Sequence, residues 1–473
     1  MEREDITIHV DNIRGNDAHD GVHQSVKTAD RAFSLLPPSW YGRAEIIFEV
    51  TNREYPITTS AVYFGTPVGS EASSLVIRGG YASDEDFPEV IASSGSRVDE
   101  INTNLDIPPD RLIGAVLTRL SGTGSPVGTA TMIRGNSAGP DSTIFLQRAI
   151  DRIEAGDTFA VQRPAVTLKP DPSPHYPSPA AAGQALNLTS HDARSPNLKL
   201  VGIKFAPFEG RSLNFLNVRA QCDTCEFLLQ ASSVRSTTFS LHTNSRIQAG
   251  IETDPLRSQA GVYIHSNGPS NLVWAVRDSV LGGHLTFDQI SVRASQGGVF
   301  VPKSLEARES PIQILAGGSA LAEIEGWGTA TNKARIRNVA TRSRTGQPDG
   351  DGLRVFNGGV LNSPLAPINL DISGCNRDAI RLDMGSLASF GPPNGLTGLV
   401  TTGANNGVFG MNVRNASRAL VGLDTDLHGA HHSATVVTND VALDDVAQPR
   451  GWGAVTDVSP PVGNRLSSVR RNT

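Results

Sequence analysis

Three short segments in the second half of the chain align with one another: DGDGLRVFNGGVL (349–361), NRDAIRLDMGSLA (376–388) and FGMNVRNASRAL (409–420). Leu353, Ile380 and Met411 share one place in the alignment, and Val355, Leu382 and Val413 another, at spacings of 27 and 31 residues. GGVFVPKS fits the same frame, with Val299 lying 54 residues before Leu353. Each unit carries an apolar-x-apolar element followed by Gly or Asn. A unit this short cannot bury its own apolar face, so the units must stack. Three strands of four to six residues, with their turns, consume about one such period. Asn and Gly suit the left-handed backbone that tight corners need. The expectation is a mainly β chain built as a parallel β-helix.

The segments ahead of this region set the domain plan. Residues 6–10 read as a strand, and SVKTADRAFSLLP (25–37) as an amphipathic helix with Ala29, Ala32, Phe33 and Leu36 at helical spacing and Pro37-Pro38 ending it. AEIIFEV and SSLVIRGG follow as β segments, and SDEDFPEV as an exposed acidic loop. Residues 1–107 are therefore assigned to an N-terminal cap and first coils. Residues 108–169 read as a small β-rich insert, in which the Gly-rich GTGSPVG (122–128) lacks the Lys-Ser/Thr of a phosphate loop and reads as a hairpin loop. Prolines crowd KPDPSPHYPSP, so 170–196 is assigned to a linker. Residues 197–450 form the main β-helix, and 451–473 a basic, polar tail.

Composition excludes several classes. A net charge of −6 leaves no general nucleic-acid footprint, and no apolar run is long enough to cross a bilayer. MEREDITIHV lacks the basic and apolar parts of a secretion signal, so a chain made in the cytoplasm is expected. Three cysteines give no disulfide framework. Cys222 and Cys225 form a CxxC, which invites a redox or zinc reading, but its strand-like setting and the lack of further ligands favour two small residues near a turn.

The opening, a strand, then GNDAHDG, then VKTADRAFSLLP, resembles the start of the pectate-lyase-like right-handed parallel β-helix superfamily. The run GCNRDAIRLDMGSLA through FGMNVRNASRALV is similar to β-helical tail and appendage proteins of bacteriophages and phage-like particles. The resemblance implies a right-handed solenoid whose N-terminal helix plugs the first coil. It also implies a virion protein such as a tail fibre or tail spike, with other particle proteins and a host-surface glycan as partners and a homotrimer as the assembly.

The superfamily includes pectate lyases and polygalacturonases, so the resemblance also implies where their chemistry would lie. PDGDG offers Asp349 and Asp351 as paired carboxylates, and DLHGAHH offers His428 and His431. The Arg335/Arg337 element precedes these segments, whereas a polygalacturonase order requires it after them. A lyase could draw on Asp378 and Asp383, or on Asp424 and Asp426, all at turn positions. The catalytic candidates are thus Asp349, Asp351 and His428, with corner residues as the plainer reading. Trp274, Trp327 and Trp452 could serve as sugar platforms or as packing anchors. The candidates for a metal are Asp17, Asp20, His428 and His431, and no cofactor is implied. VDNIRGNDAHDG lacks a calcium loop's alternating ligands and closing Glu, so Asp17 and Asp20 are expected to accept backbone N–H groups, with Gly15 and Gly21 as turn residues. The functional expectation is a structural particle protein used for attachment. The alternatives are a polysaccharide lyase or glycoside hydrolase on the same scaffold, and a carbohydrate-binding adhesin.

Overall fold

The computed structural model describes residues 5–37, 39–40, 42–49, 53–58, 61–64, 66–67, 74–122, 126–170, 186–190, 197–206, 213–229, 238–242, 245–250, 261–266, 272–321, 334–339, 350–362, 370–389, 401–407, 410–414, 417–421, 426–429, 436–439, 442–445 and 468–470. The chain divides into two compact units, residues 1–267 with 282–286, and residues 268–281 with 287–473.

In the second unit the predicted repeat forms three walls of parallel strands. Ile312–Leu315, Leu353–Phe356, Ile380–Asp383, Met411–Arg414 and Val436–Asn439 stack in one wall. Leu353 sits on Ile380 and Ile380 on Met411, the pairing expected from the alignment. Ser319–Leu321, Val360–Asn362, Leu387–Ser389 and Arg418–Val421 make the second wall. Ala334–Arg337, Leu370–Ser373, Thr401–Asn406 and Asp426–Gly429 make the third. The chain visits the walls in rotation, one strand each, so every coil hydrogen-bonds to the next.

Val299 departs from the predicted frame. It pairs with Ser319, which pairs with Val360, so it belongs to the second wall and Ile312 lies under Leu353. The coil before Ile312 is shortened because one continuous strand, Val299–Arg308, serves two walls, pairing at one end with Ser319–Leu321 and at the other with Ala334–Arg337.

Corners explain the Gly and Asn content. Between the first and second walls two consecutive residues at positive φ recur in five of the described corners: Arg277-Asp278, Gln296-Gly297, Ala316-Gly317, Asn357-Gly358 and Met384-Gly385. Two consecutive left-handed residues make the sharp bend, and in four of these five corners the second is glycine, the residue without a Cβ. The corners are stacked by hydrogen bonds as well: Asn357 N donates to Asp383 O at 3.2 Å and Gly358 N to Met384 O at 3.1 Å. Leu353, Val355, Ile380, Leu382, Met411 and Val413 are buried inside.

The first unit has the same wall order. Ile6–Val10, Arg43–Phe48, Ser74–Arg78, Asn197–Val201, Arg219–Asp223 and Arg246–Ala249 stack in register. Arg53–Ile57, Val166–Pro170, Ile203–Phe205, Cys225–Leu229 and Val262–Ser266 form the adjoining wall. Single left-handed residues, Gly202 and Thr224, join these two walls in neighbouring coils. In the coil below, the same corner is occupied by residues 79–165, an antiparallel β region. Its strands run from Tyr81–Ser83 to Thr158–Pro164.

This region has its own core, including Ile101, Leu112, Leu117, Ile133, Ile144 and Phe159. The sequence boundary at 108 falls inside it, and Val166–Pro170 already lies in the parallel wall. The GTGSPVG hairpin joins the paired strands Val116–Ser121 and Ala130–Asn136. The acidic segment is exposed at Glu85, Asp86 and Glu89, as expected, and anchored at Asp84, which is 5% exposed and bonds Arg111; Arg111 also holds Asp86. The proline-rich stretch 171–185 lies outside the described residues.

The capping helix expected over residues 25–37 is not formed. Only Ala29–Ser34 is helical. Val26 is held extended by a parallel bridge to Val10, and Thr28 caps the helix by accepting from Arg31 N at 3.2 Å. Ala29 and Ala32 are buried as predicted, whereas Phe33 and Leu36 are only half-buried. No helix among the described residues is long and apolar enough to cross a membrane.

Candidate functional site

Strand alternation places each wall's middle residues on opposite faces. In the second unit Leu353, Ile380 and Met411 point to the core, so Arg354, Arg381 and Asn412 point away from it. Register carries this outward column through six coils: Trp274, Arg293, Gln313, Arg354, Arg381 and Asn412. Successive members are separated by about 4.8 Å, the strand spacing.

Members of this column, or ladder, are held by partners within it and beside it. Trp274 Nε1 donates to Ser295 Oγ at 2.7 Å, and Arg293 gives two hydrogen bonds to Gln313 Oε1, at 3.2 and 2.9 Å. The Arg354 guanidinium lies 4.1 Å from the centroid of the Phe356 ring. Arg381 Nη2 donates to Asp383 Oδ2 at 3.0 Å. Although these side chains face away from the core, Arg354 and Arg381 are each 8% exposed and Asn412 is 0% exposed.

At the edge of this wall a carboxylate–arginine cluster closes around Asp351. Asp378 N donates to Asp351 Oδ1 at 3.3 Å, and Asn412 Nδ2 donates to Asp378 Oδ2 at 2.7 Å. Arg377 Nε lies 3.8 Å from Asp351 Oδ1, and Arg381 Nη1 lies 3.7 Å from Asp351 Oδ2. Burial pushes the Asp351 carboxyl up to about 6, and the neighbouring Asp378 charge adds to it, against the pull of Arg377 and Arg381. A carboxyl poised there exchanges its proton about two pH units closer to neutrality than a free aspartate, the direction in which general acid catalysis tunes a carboxyl.

The first unit holds a second buried charge cluster. Glu226 Oε1 lies 2.7 Å from both Lys204 Nζ and His265 Nε2, and His265 stacks on Tyr263 at 4.3 Å. Burial raises the Glu226 carboxyl, but bonding and charge from His265 and Lys204 outweigh it and hold the group at about 2. This arrangement stabilises the charged form of Glu226.

Of the sequence candidates, Asp351 is enclosed in the cluster, while Asp349 lies outside the described residues. His428 is in the strand Asp426–Gly429, and its side chain and all of His431 lie outside the described residues. Trp274 is half-buried in the ladder; Trp327 and Trp452 lie outside the described residues. Asp17 and Asp20 are exposed and act on the backbone. Asp17 Oδ1 accepts from Lys27 N and Thr28 N, at 2.8 and 2.9 Å, and Asp20 Oδ1 accepts from Val22 N and His23 N, at 3.0 and 2.9 Å. Gly21 has φ = 78°, whereas Gly15 is required by crowding: a Cβ there would lie 2.2 Å from the Val26 carbonyl oxygen. No cluster of metal-ligating side chains occurs among the described residues. Sequence reasoning missed Arg354, Arg381 and Asn412, whose signal was the central letter of each apolar-x-apolar element.

No protein-family model matches the chain, and no curated protein matches it. Solved structures with a similar arrangement include the tailspike protein gp49 from Pseudomonas phage LKA1, at 11% identity and a TM-score of 0.22, covering 84% of this chain and 72% of that one. The gp54 tailspike of Acinetobacter baumannii bacteriophage AP22, solved in complex with A. baumannii capsular saccharide, gives 11% identity and a TM-score of 0.22, covering 85% and 74%. The Pseudomonas phage phi297 tailspike gp61 gives 12% and 0.21, covering 89% and 73%. Scores this low transfer neither a site nor an activity.

Proposed function

We propose that this chain is a surface appendage of a phage or phage-like particle, of the tail-fibre or tailspike kind. Its solenoid would present a face that attaches to host-surface glycan. The observation that supports the reading is the solvent-reaching part of the ladder, Trp274 and Arg293, which are half-buried where Gln313, Arg354, Arg381 and Asn412 are buried. It sets hydrogen-bonding side chains at a regular spacing of about 4.8 Å along stacked coils, which suits an extended, repeating polymer better than a small compact ligand. The Trp274 ring adds a flat apolar surface of the sort that packs on a sugar ring. The right-handed sense of the solenoid, a trimeric assembly and the particle as the chain's location belong to the same proposal.

The test has two arms. Antibody against this chain should label purified particles in electron micrographs, and label found only on free protein would sink the particle reading. Host-surface polysaccharide should bind the full chain in a titration, with Trp274→Ala and Arg293→Gln each lowering affinity about tenfold, equivalent to about 1.4 kcal/mol.

A second reading, a polysaccharide lyase or hydrolase, is favoured by one observation, the Asp351 carboxyl held near 6 beside Asp378. Release of reducing or unsaturated ends from the same polysaccharide, abolished by Asp351→Asn, would decide for it.

A further inference from the structure

The corner between the strands Arg219–Asp223 and Cys225–Leu229 turns on Thr224, at φ = 52°. That single left-handed residue lets the cysteines on either side of the corner both enter the core, where Cys222 is 0% and Cys225 1% exposed. Residues three apart on a straight strand face opposite ways, so it is the corner that turns both side chains inward. Cys225 Sγ lies 3.3 Å from the Leu200 carbonyl oxygen and 3.4 Å from that of Asp223. The backbone around them is fixed by neighbouring coils, since Gly250 N donates to Cys222 O at 2.7 Å and Gly202 N to Asp223 O at 3.1 Å. The Thr224 hydroxyl meets the Tyr81 hydroxyl at the root of the antiparallel region.

A disulfide requires side chains converging from backbones about 4.4–6.8 Å apart, with little room for adjustment. Two core-facing cysteines flanking one left-handed corner residue are directed toward that convergence. We propose that Cys222 and Cys225 are an oxidisable pair that closes into an intrachain disulfide across this corner, fixing the turn against which Tyr81 rests. With oxidised glutathione as oxidant, one cysteine sulfur attacks it and expels a glutathione thiol. The second cysteine sulfur then attacks the mixed disulfide and expels the other. Two electrons and two protons pass from the pair to the oxidant, leaving one new S–S bond and two reduced glutathiones. Cys375, buried in the other unit, takes no part. Burial and the adjacent Cys225 keep the proton on Cys222, so attack through the thiolate is slow and the pair must be read at equilibrium.

The test uses the full chain, purified reduced and brought to equilibrium with glutathione buffers of rising oxidised fraction. One set starts from folded protein and a second is refolded from urea in the same buffers. After denaturation and alkylation, the expected result in both sets is loss of two of the three alkylation sites. The peptide containing Cys222 and Cys225 should be lighter by two hydrogens, and Cys375 should be fully alkylated. Cys222→Ser should leave Cys225 as a free thiol under the same conditions. Retention of both thiols at the most oxidising buffer in both sets would overturn the proposal, as would glutathione adducts in place of the internal bond.

Discussion

Asp351→Asn tests the carboxylate cluster directly, because its effect must depend on pH in one direction only. In the unfolded chain Asp351 titrates near 3.8, and in the folded chain it is pushed up to about 6 by burial and by Asp378. Between those values the folded protein holds a proton that the unfolded chain has lost. The group's contribution is therefore most favourable below about 4, falls as pH rises to about 6, and stays at its least favourable above that. At about 1.4 kcal/mol per pH unit, the gap amounts to roughly 3 kcal/mol.

Asparagine keeps an oxygen to accept from Asp378 N but carries no charge. Its stability relative to the parent should thus rise by about 3 kcal/mol between about pH 4 and pH 7.5. Any constant offset from the new amide cancels in that difference. The assay is urea unfolding of both full-length proteins across the range, with hydrogen exchange of peptides covering 353–356 and 380–383 as the local readout. Asp378→Asn removes the neighbouring charge and should shrink the pH span measured at Asp351. A parent-minus-variant difference that stays flat across the range, to within about 0.5 kcal/mol, would refute the argument that burial and like charge set this carboxyl.

Other perturbations have fixed expectations. Arg119, 0% exposed, pairs with Asp157 at 2.5 Å; Arg119→Ala strands that carboxylate and should cost about 3–5 kcal/mol in urea unfolding of the antiparallel region. Asn406, also 0% exposed, accepts from Cys375 N at 3.2 Å and donates to Ile372 O at 3.1 Å; Asn406→Leu should cost about 2–4 kcal/mol and speed exchange in 370–375. Phe227→Ala removes a ring stacked at 5.3 Å on Phe205 and set edge-on to Phe239 at 4.9 Å, a loss of about 3–5 kcal/mol by calorimetry. Asp17→Ala should lower stability by about 1 kcal/mol, since it removes acceptors for Lys27 N and Thr28 N. Added calcium should leave the melting temperature of the parent unchanged, and a rise would mean that the loop binds the ion.

How much of this was legible in the sequence follows from which interactions are local. The stacking of Leu353, Ile380 and Met411 was readable because each coil repeats one local demand, two inward apolar residues before a corner. The Asp17 and Asp20 turns were readable for a similar reason, since each carboxylate bonds amides within about a dozen residues. Val299 was misplaced because coil length varies when one strand serves two walls, and spacing alone cannot report that. The helix over 25–37 was overextended because its apolar spacing ignores a competing partner: Val10 draws Val26 into a bridge before the helix can begin. The antiparallel region began earlier than expected because its boundary is set by a corner in three dimensions, the one filled by Gly202 and Thr224 in the next coils.

The ladder escaped notice for the reason that makes it informative. Each member is the unremarkable middle letter of an apolar-x-apolar element, and its partners lie 19 to 41 residues away, one coil up or down. A solenoid needs nothing specific at these outward positions; any residue tolerant of a strand would serve the coil. Trp, Arg, Gln, Arg, Arg and Asn in one column, with carboxylates gathered at its edge, therefore exceed what stacking requires. Burying Arg354 and Arg381 on the face turned away from the core costs solvation that apolar residues would not. That cost sets this wall apart from the Asp- and Gly-rich N-terminal loop, where Asp11, Asp20 and Asp17 stay near the surface and accept from the chain's own backbone.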